Sequence, residues 1–118
     1  MHGRDHPNTQ YLLNNLAVLY LNKGKYEEAE SLFQRALVIR EKGLGPEHPD
    51  TASTLNNLAV LYHDQGKDEE AESLHQRALI IREKVFGPDH PNTTRVREDY
   101  SELLKKIGEK TGGVDQQN

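Results

Sequence analysis

The sequence predicts an all-α chain: an array of antiparallel helix hairpins, about two complete units followed by a capping helix. Three observations lead there. Residues 6–47 and 48–89, shifted by 42, are identical at 29 of 42 positions, and a period of roughly 20–50 residues marks a stacked array in which each unit touches only its neighbours. Apolar residues within each unit recur at helical spacing. A glycine turn divides each unit, and a Gly-Pro step ends it.

The first unit is expected over residues 8–47, after a tail at 1–7. Its first helix is predicted over 8–22, because Leu13, Leu16, Ala17 and Tyr20 fall at i, i+3, i+4 and i+7 and so share one face. Lys23-Gly24-Lys25 ends it, since glycine supplies the left-handed residue of a helix stop. The second helix is predicted over 26–42, with apolar face Ala29, Leu32, Phe33, Ala36 and Ile39. Glu27, Glu28 and Glu30 open it and Arg35, Arg40 and Lys42 close it, which complements the macrodipole at both ends. Leu44-Gly45-Pro46 stops it.

The second unit, 48–89, repeats this with helices over 50–64 and 68–84. Leu55, Leu58, Ala59 and Tyr62 form the first stripe, and Gln65-Gly66-Lys67 the turn. Alanines at 17, 29, 36, 59, 71 and 78 allow close helix approach. Phe33 becomes His75, so slightly poorer packing is expected there. A third copy starts at His90-Pro91 and then departs: residues 97–102 read Arg-Glu-Asp-Tyr-Ser-Glu where the earlier copies read Leu-Asn-Asn-Leu-Ala-Val. Tyr100, Leu103, Leu104 and Ile107 keep one apolar face while the other is charged. A capping helix over 90–109 is expected, with a disordered tail at 110–118.

Composition narrows the function. The 118 residues carry a net charge of −4 and 34% hydrophobic residues. That balance argues against nucleic acid, which requires a basic surface. No run approaches the ~20 apolar residues of a membrane span. Met1-His2-Gly3-Arg4-Asp5 lacks the apolar segment of a secretory signal, and there is no cysteine, so a cytoplasmic setting without disulfides is expected.

The pattern L-x-x-L-A-x-L-Y, glycine turn, E-E-A-E-x-L-x-x-R-A-L resembles the tetratricopeptide repeat. The run N-N-L-A-V-L-Y … G-K-x-E-E-A-E … R-A-L-x-I-R-E-K … L-G-P-E-H-P is similar to its 42-residue, kinesin-light-chain-like form, and the resemblance spans roughly residues 6–109. It implies a right-handed α-solenoid whose concave face is lined by the first helix of each pair and takes extended peptides. Carried over, that face presents Asn14, Val18, Leu21 and Asn22, then Asn56, Val60, His63 and Asp64, with Asn15 and Asn57 at its edge. These positions hold no Lys or Arg, unlike the basic groove of kinesin light chains or the Lys/Arg carboxylate grip of chaperone-binding members. The copies differ at 21/63 and 22/64, where selectivity is expected. The implied function is a non-catalytic protein-interaction scaffold.

Other motifs have plainer readings. Asn amides at 14 and 56 suit a peptide backbone, or equally serve as polar filler between helices. His6, His48 and His90 sit at equivalent loop positions, roughly 10 Å apart in a stack and too far to share a metal; His-Pro reads as loop-to-helix punctuation. No metal or other cofactor is expected. The Glu clusters lie in first helical turns without an apolar pocket, so no acid–base catalysis is implied. Gly24-Lys25 lacks the rest of a phosphate loop, and Asn92-Thr93-Thr94 matches a glycosylation acceptor only by chance. No polar cap precedes the first helix, which leaves Tyr11, Leu12 and its outer edge open. Together with fewer than three full repeats, this suggests a homo-oligomer through that helix, or a segment of a longer array.

Overall fold

A computed structural model describes the backbone of residues 9–115 and the side chains of residues 9–108. Among the described residues there are five helices and no strand: α1 Thr9–Asn22, α2 Tyr26–Gly43, α3 Pro49–Asp64, α4 Asp68–Phe86 and α5 Pro91–Asp115. α1 packs on α2 and α3 on α4. α2 joins the two hairpins by packing on α3, and α5 covers α4, while α1 and α3 barely touch. The result is an all-α solenoid, thin and elongated, measuring 61 × 34 × 18 Å.

Local chemistry sets the corners. Gly24 and Gly66 have φ of 77° and 81°, and the following Lys25 and Lys67 donate back to the Tyr20 and Tyr62 carbonyls at 2.9 and 2.7 Å. An L side chain meets the left-handed region at a cost, so glycine belongs there. At the next corner the His-Pro step is a helix cap. His48 Nδ1 accepts from the Asp50 amide at 3.0 Å, and Pro49 takes the first helical position. His90 Nδ1 does the same for the Asn92 amide, also at 3.0 Å. Each ring satisfies one of the free amides at a helix start.

The core is shared between neighbours. Ala17, Ala29, Phe33, Leu58 and Leu61 form one cluster that runs from the first hairpin into α3. Ala52, Leu55, Ala78, Ile81 and Val96 form a second, and Ala59, Ala71 and Leu103 a third. At the position where Phe33 fills the first cluster, His75 is buried with Nδ1 unpartnered and its ring 6.0 Å from that of Tyr100.

The sequence reading needs one correction at the C-terminal end. The last helix does not stop at 109 but runs to Asp115, through the start of the expected 110–118 tail. The glycines there lower helix propensity by about 1 kcal/mol each, but unlike proline they remove no hydrogen bond and do not end a helix by themselves. The expected tail at 1–7 and residues 116–118 lie outside the described residues.

Candidate functional site

The ten groove residues taken from the sequence have different environments. On α1, Asn15 and Asn22 are exposed, while Val18 and Leu21 are half-buried against the first core cluster. Asn14 is already engaged: its Oδ1 accepts from the Thr54 hydroxyl at 3.3 Å. On α3, Val60 and Asp64 are exposed. His63 lies with Nδ1 3.0 Å from the carboxylate of Asp68, tying the end of α3 to the start of α4. Asn56 and Asn57 come together in a cavity. Ser53, Arg82, Asn92, Arg95, Val96 and Asp99 complete its lining, from α3, the end of α4 and the start of α5.

Two bases accompany the asparagines in that cavity. Arg82 and Arg95 both line it. Arg82 belongs to a second helix, where sequence alone reads an arginine in the last turns as a complement to the macrodipole. The available signal was the repetition of an arginine at 40 and 82 directly after an isoleucine. Burial pulls the Arg82 guanidinium below the usual arginine range. Asp50 opposes that shift, and Arg95 reinforces it.

Its counterpart Arg40 is 3% exposed and held through Nε and Nη1. Nε donates to Gln10 Oε1, and Nη1 to the Asp50 carbonyl and the Thr54 hydroxyl, all at 2.8 Å. The Tyr11 ring lies over the guanidinium at 5.3 Å, and its hydroxyl donates to Asp50 at 3.1 Å. A buried charge needs such a set of partners. Burial lowers the Arg40 pKa and Asp50 opposes it.

Among the described residues, no group of three or more His, Asp or Glu side chains is placed to hold a metal ion, and no helix is long and apolar enough to cross a membrane.

A solenoid of helix hairpins with conserved internal spacing defines a class of repeat protein. The family pattern of the tetratricopeptide repeat matches residues 8–79 and 56–111, and the chain belongs to that family. Among solved structures it is similar to BtubC (BKLC) from P. vanneervenii, with a TM-score of 0.77 and 24% identity. The match covers 83% of this chain and 39% of that one, so this chain spans well under half of its relative's length. It is a likeness of fold. No curated protein matches the chain. Tetratricopeptide repeats mediate protein–protein interaction, and the fold is typically a non-catalytic scaffold.

Proposed function

We propose that the chain is a non-catalytic module that holds a segment of a partner protein in extended form along the concave side formed by α1, α3 and α5. The observation that carries this reading is the polar cavity between α3 and α5, where Asn56 and Asn57 lie beside two guanidinium groups. Amide side chains offer a donor and an acceptor to a peptide backbone, and guanidinium groups offer fixed donors. A display library of extended peptides selected on the protein, followed by anisotropy with Asn56→Ala and Arg82→Ala, tests it. Binders that lose most of their affinity with both substitutions support the groove. Tight binders indifferent to both changes would place the site elsewhere.

A second reading is favoured by the open face of α1. Leu12, Leu16 and Leu19 are 69%, 41% and 56% exposed. Leu58 and Leu61, the repeat counterparts of Leu16 and Leu19, are 2% and 0% exposed against the preceding hairpin. Among the described residues, no helix covers this face as the first hairpin covers Leu58 and Leu61. A second copy fits it best. α1 carries no charged residue, so two such faces meet without repulsion. At the opposite end, α5 exposes Glu98, Ser101 and Glu102 beside Leu104, a more polar surface than that of α1. Pairing is then α1 to α1 about a two-fold axis.

A further inference from the structure

The chain builds the same junction twice and completes it once. Between α1, α2 and α3, Gln10 supplies an amide oxygen to Arg40 Nε, the Tyr11 ring covers the guanidinium, and the Thr54 hydroxyl serves Asn14 Oδ1. One repeat on, Arg82 and Asn56 stand where Arg40 and Asn14 stood, but Ala52 replaces Gln10, Ser53 replaces Tyr11 and Val96 replaces Thr54. Each replacement has a local consequence. Ala52 has no oxygen for Nε. Val96 has no hydroxyl for Oδ1. Ser53 accepts Arg82 Nη2 at 2.7 Å but leaves the volume of a phenol ring unfilled.

The atoms that lose their partners by this comparison, Arg82 Nε and Asn56 Oδ1, are both among those left buried without a partner. Both side chains line the same cavity, whose volume is ≈ 360 Å³. We infer that this cavity is a subsite for a carboxamide, the side chain of a glutamine in a bound peptide, with its oxygen accepting from Arg82 Nε and its NH₂ donating to Asn56 Oδ1. The inference rests on the peptide-binding reading of this side of the array and adds the chemistry it selects.

One unmet donor and one unmet acceptor call for a group that carries both. A carboxylate offers acceptors only and would leave Asn56 Oδ1 facing another oxygen. An ammonium would meet two guanidinium groups, and an apolar side chain would satisfy neither atom. Charge does not force an anion here, because Asp50 acts on Arg82 and Asp99 shares the lining with Arg95. The filled junction shows half of this solution within the chain, since there a glutamine oxygen meets the arginine Nε, while the Thr54 hydroxyl serves Asn14 Oδ1.

Fluorescein-labelled extended peptides identical except for one Gln, Glu or Met are titrated against the whole chain by anisotropy. The Gln peptide is expected to bind about tenfold tighter than the other two, the worth of a well-made buried hydrogen-bond pair. The variant A52Q/V96T rebuilds the first junction's chemistry in the second. It should raise the thermal midpoint and abolish the preference for Gln. A third measurement needs no peptide: propionamide, and not propionate, should shift the NMR cross-peak of Arg82 Nε–H. A Glu peptide that outbinds Gln, or an A52Q/V96T variant no more stable than the parent, overturns the subsite. Peptides that bind with no preference at this position retain the groove and remove the subsite. A propionamide shift in the absence of any peptide binder retains the subsite and removes the groove. An Arg82 cross-peak that neither small molecule moves identifies a cavity that holds only water, and the proposal fails.

Discussion

Arg40 Nε and Gln10 Oε1 are 2.8 Å apart in a fully buried bond between α2 and α1. It is the bond by which the first helix holds the arginine that α3 then covers through Asp50 and Thr54. Replacing Gln10 by Ala leaves the guanidinium buried with Nε unmet. A hydrogen bond to a buried charged group is worth about 1.5–3 kcal/mol when its partner is removed. The expected result for Gln10→Ala is a thermal midpoint lower by several degrees, at about 4–8 °C per kcal/mol for a chain near this size. Circular dichroism melts of Gln10→Ala and Gln10→Glu check this, with the Glu variant, which keeps an acceptor, close to the parent.

His75 sits where the first unit has Phe33. Burial lowers its pKa below the ordinary imidazole value of 6.5, with Asp99 opposing and His63 adding to the shift. A folded-state pKa below the unfolded one means that the unfolded chain binds the proton first as pH falls. Stability is therefore held above about pH 6.5 and lost progressively below it. His75→Phe should flatten that acid limb. It should also raise stability by roughly 1 kcal/mol or more, since the unpartnered Nδ1 is removed and an aromatic ring of the proven shape returns. Urea unfolding at about pH 7.5 and pH 5.5 measures both effects. An unchanged difference between the two pH values would assign the acid limb to other groups.

The two histidine caps act independently. His48 and His90 each accept one helix-start amide through Nδ1. Replacement by Ala is expected to cost about 1 kcal/mol at each site, and replacement by Asn, a good cap, much less. The caps share no partner, so the two losses should add in the double variant within a few tenths of a kcal/mol. Denaturant midpoints of the two single variants and the double variant decide the point.

Gly66 gives a cleaner test of backbone strain. Its φ is 81°, and a Cβ placed there meets nothing within 4 Å. Any cost of Gly66→Ala therefore comes from the left-handed conformation itself, about 1 kcal/mol. A similar loss is expected for Gly24→Ala, whose φ is 77° in the equally open first turn. Equilibrium unfolding of the two variants compares them directly.

The hairpins were legible in the sequence because their causes are local: stripes at helical spacing, glycines at forced turns, prolines at helix starts. The junctions were less legible because their cause is not local. An arginine near a helix end reads as a macrodipole partner whether it points to solvent or, like Arg40, under the next unit. The copies differ at 21/63 and 22/64, the candidate specificity positions. In the structure, Leu21 packs against core and His63 is occupied by Asp68. The differences that open a cavity lie at 10/52, 11/53 and 54/96. The last pair compares the second unit with the degenerate third copy, where the repeat is hardest to align.

The exposed leucines of α1 make the mass of the chain in solution a test of assembly. Full burial of a leucine is worth about 1.5–3 kcal/mol, and Leu12, Leu16 and Leu19 are each at least two-fifths exposed. Covering all three gains several kcal/mol, against an association cost of about 4–15 kcal/mol. That balance predicts a weak dimer that forms as concentration rises. Sedimentation velocity should show a mass that increases with concentration, and Leu16→Glu/Leu19→Glu should return it to that of a monomer while leaving the helical signal intact. These positions are exposed in a single copy, so the substitutions disturb no internal contact on the scale of the buried pair Leu58 and Leu61. A parent that stays monomeric at the highest attainable concentration, with a sedimentation coefficient equal to that of the double variant, would leave the face without a second copy as its partner.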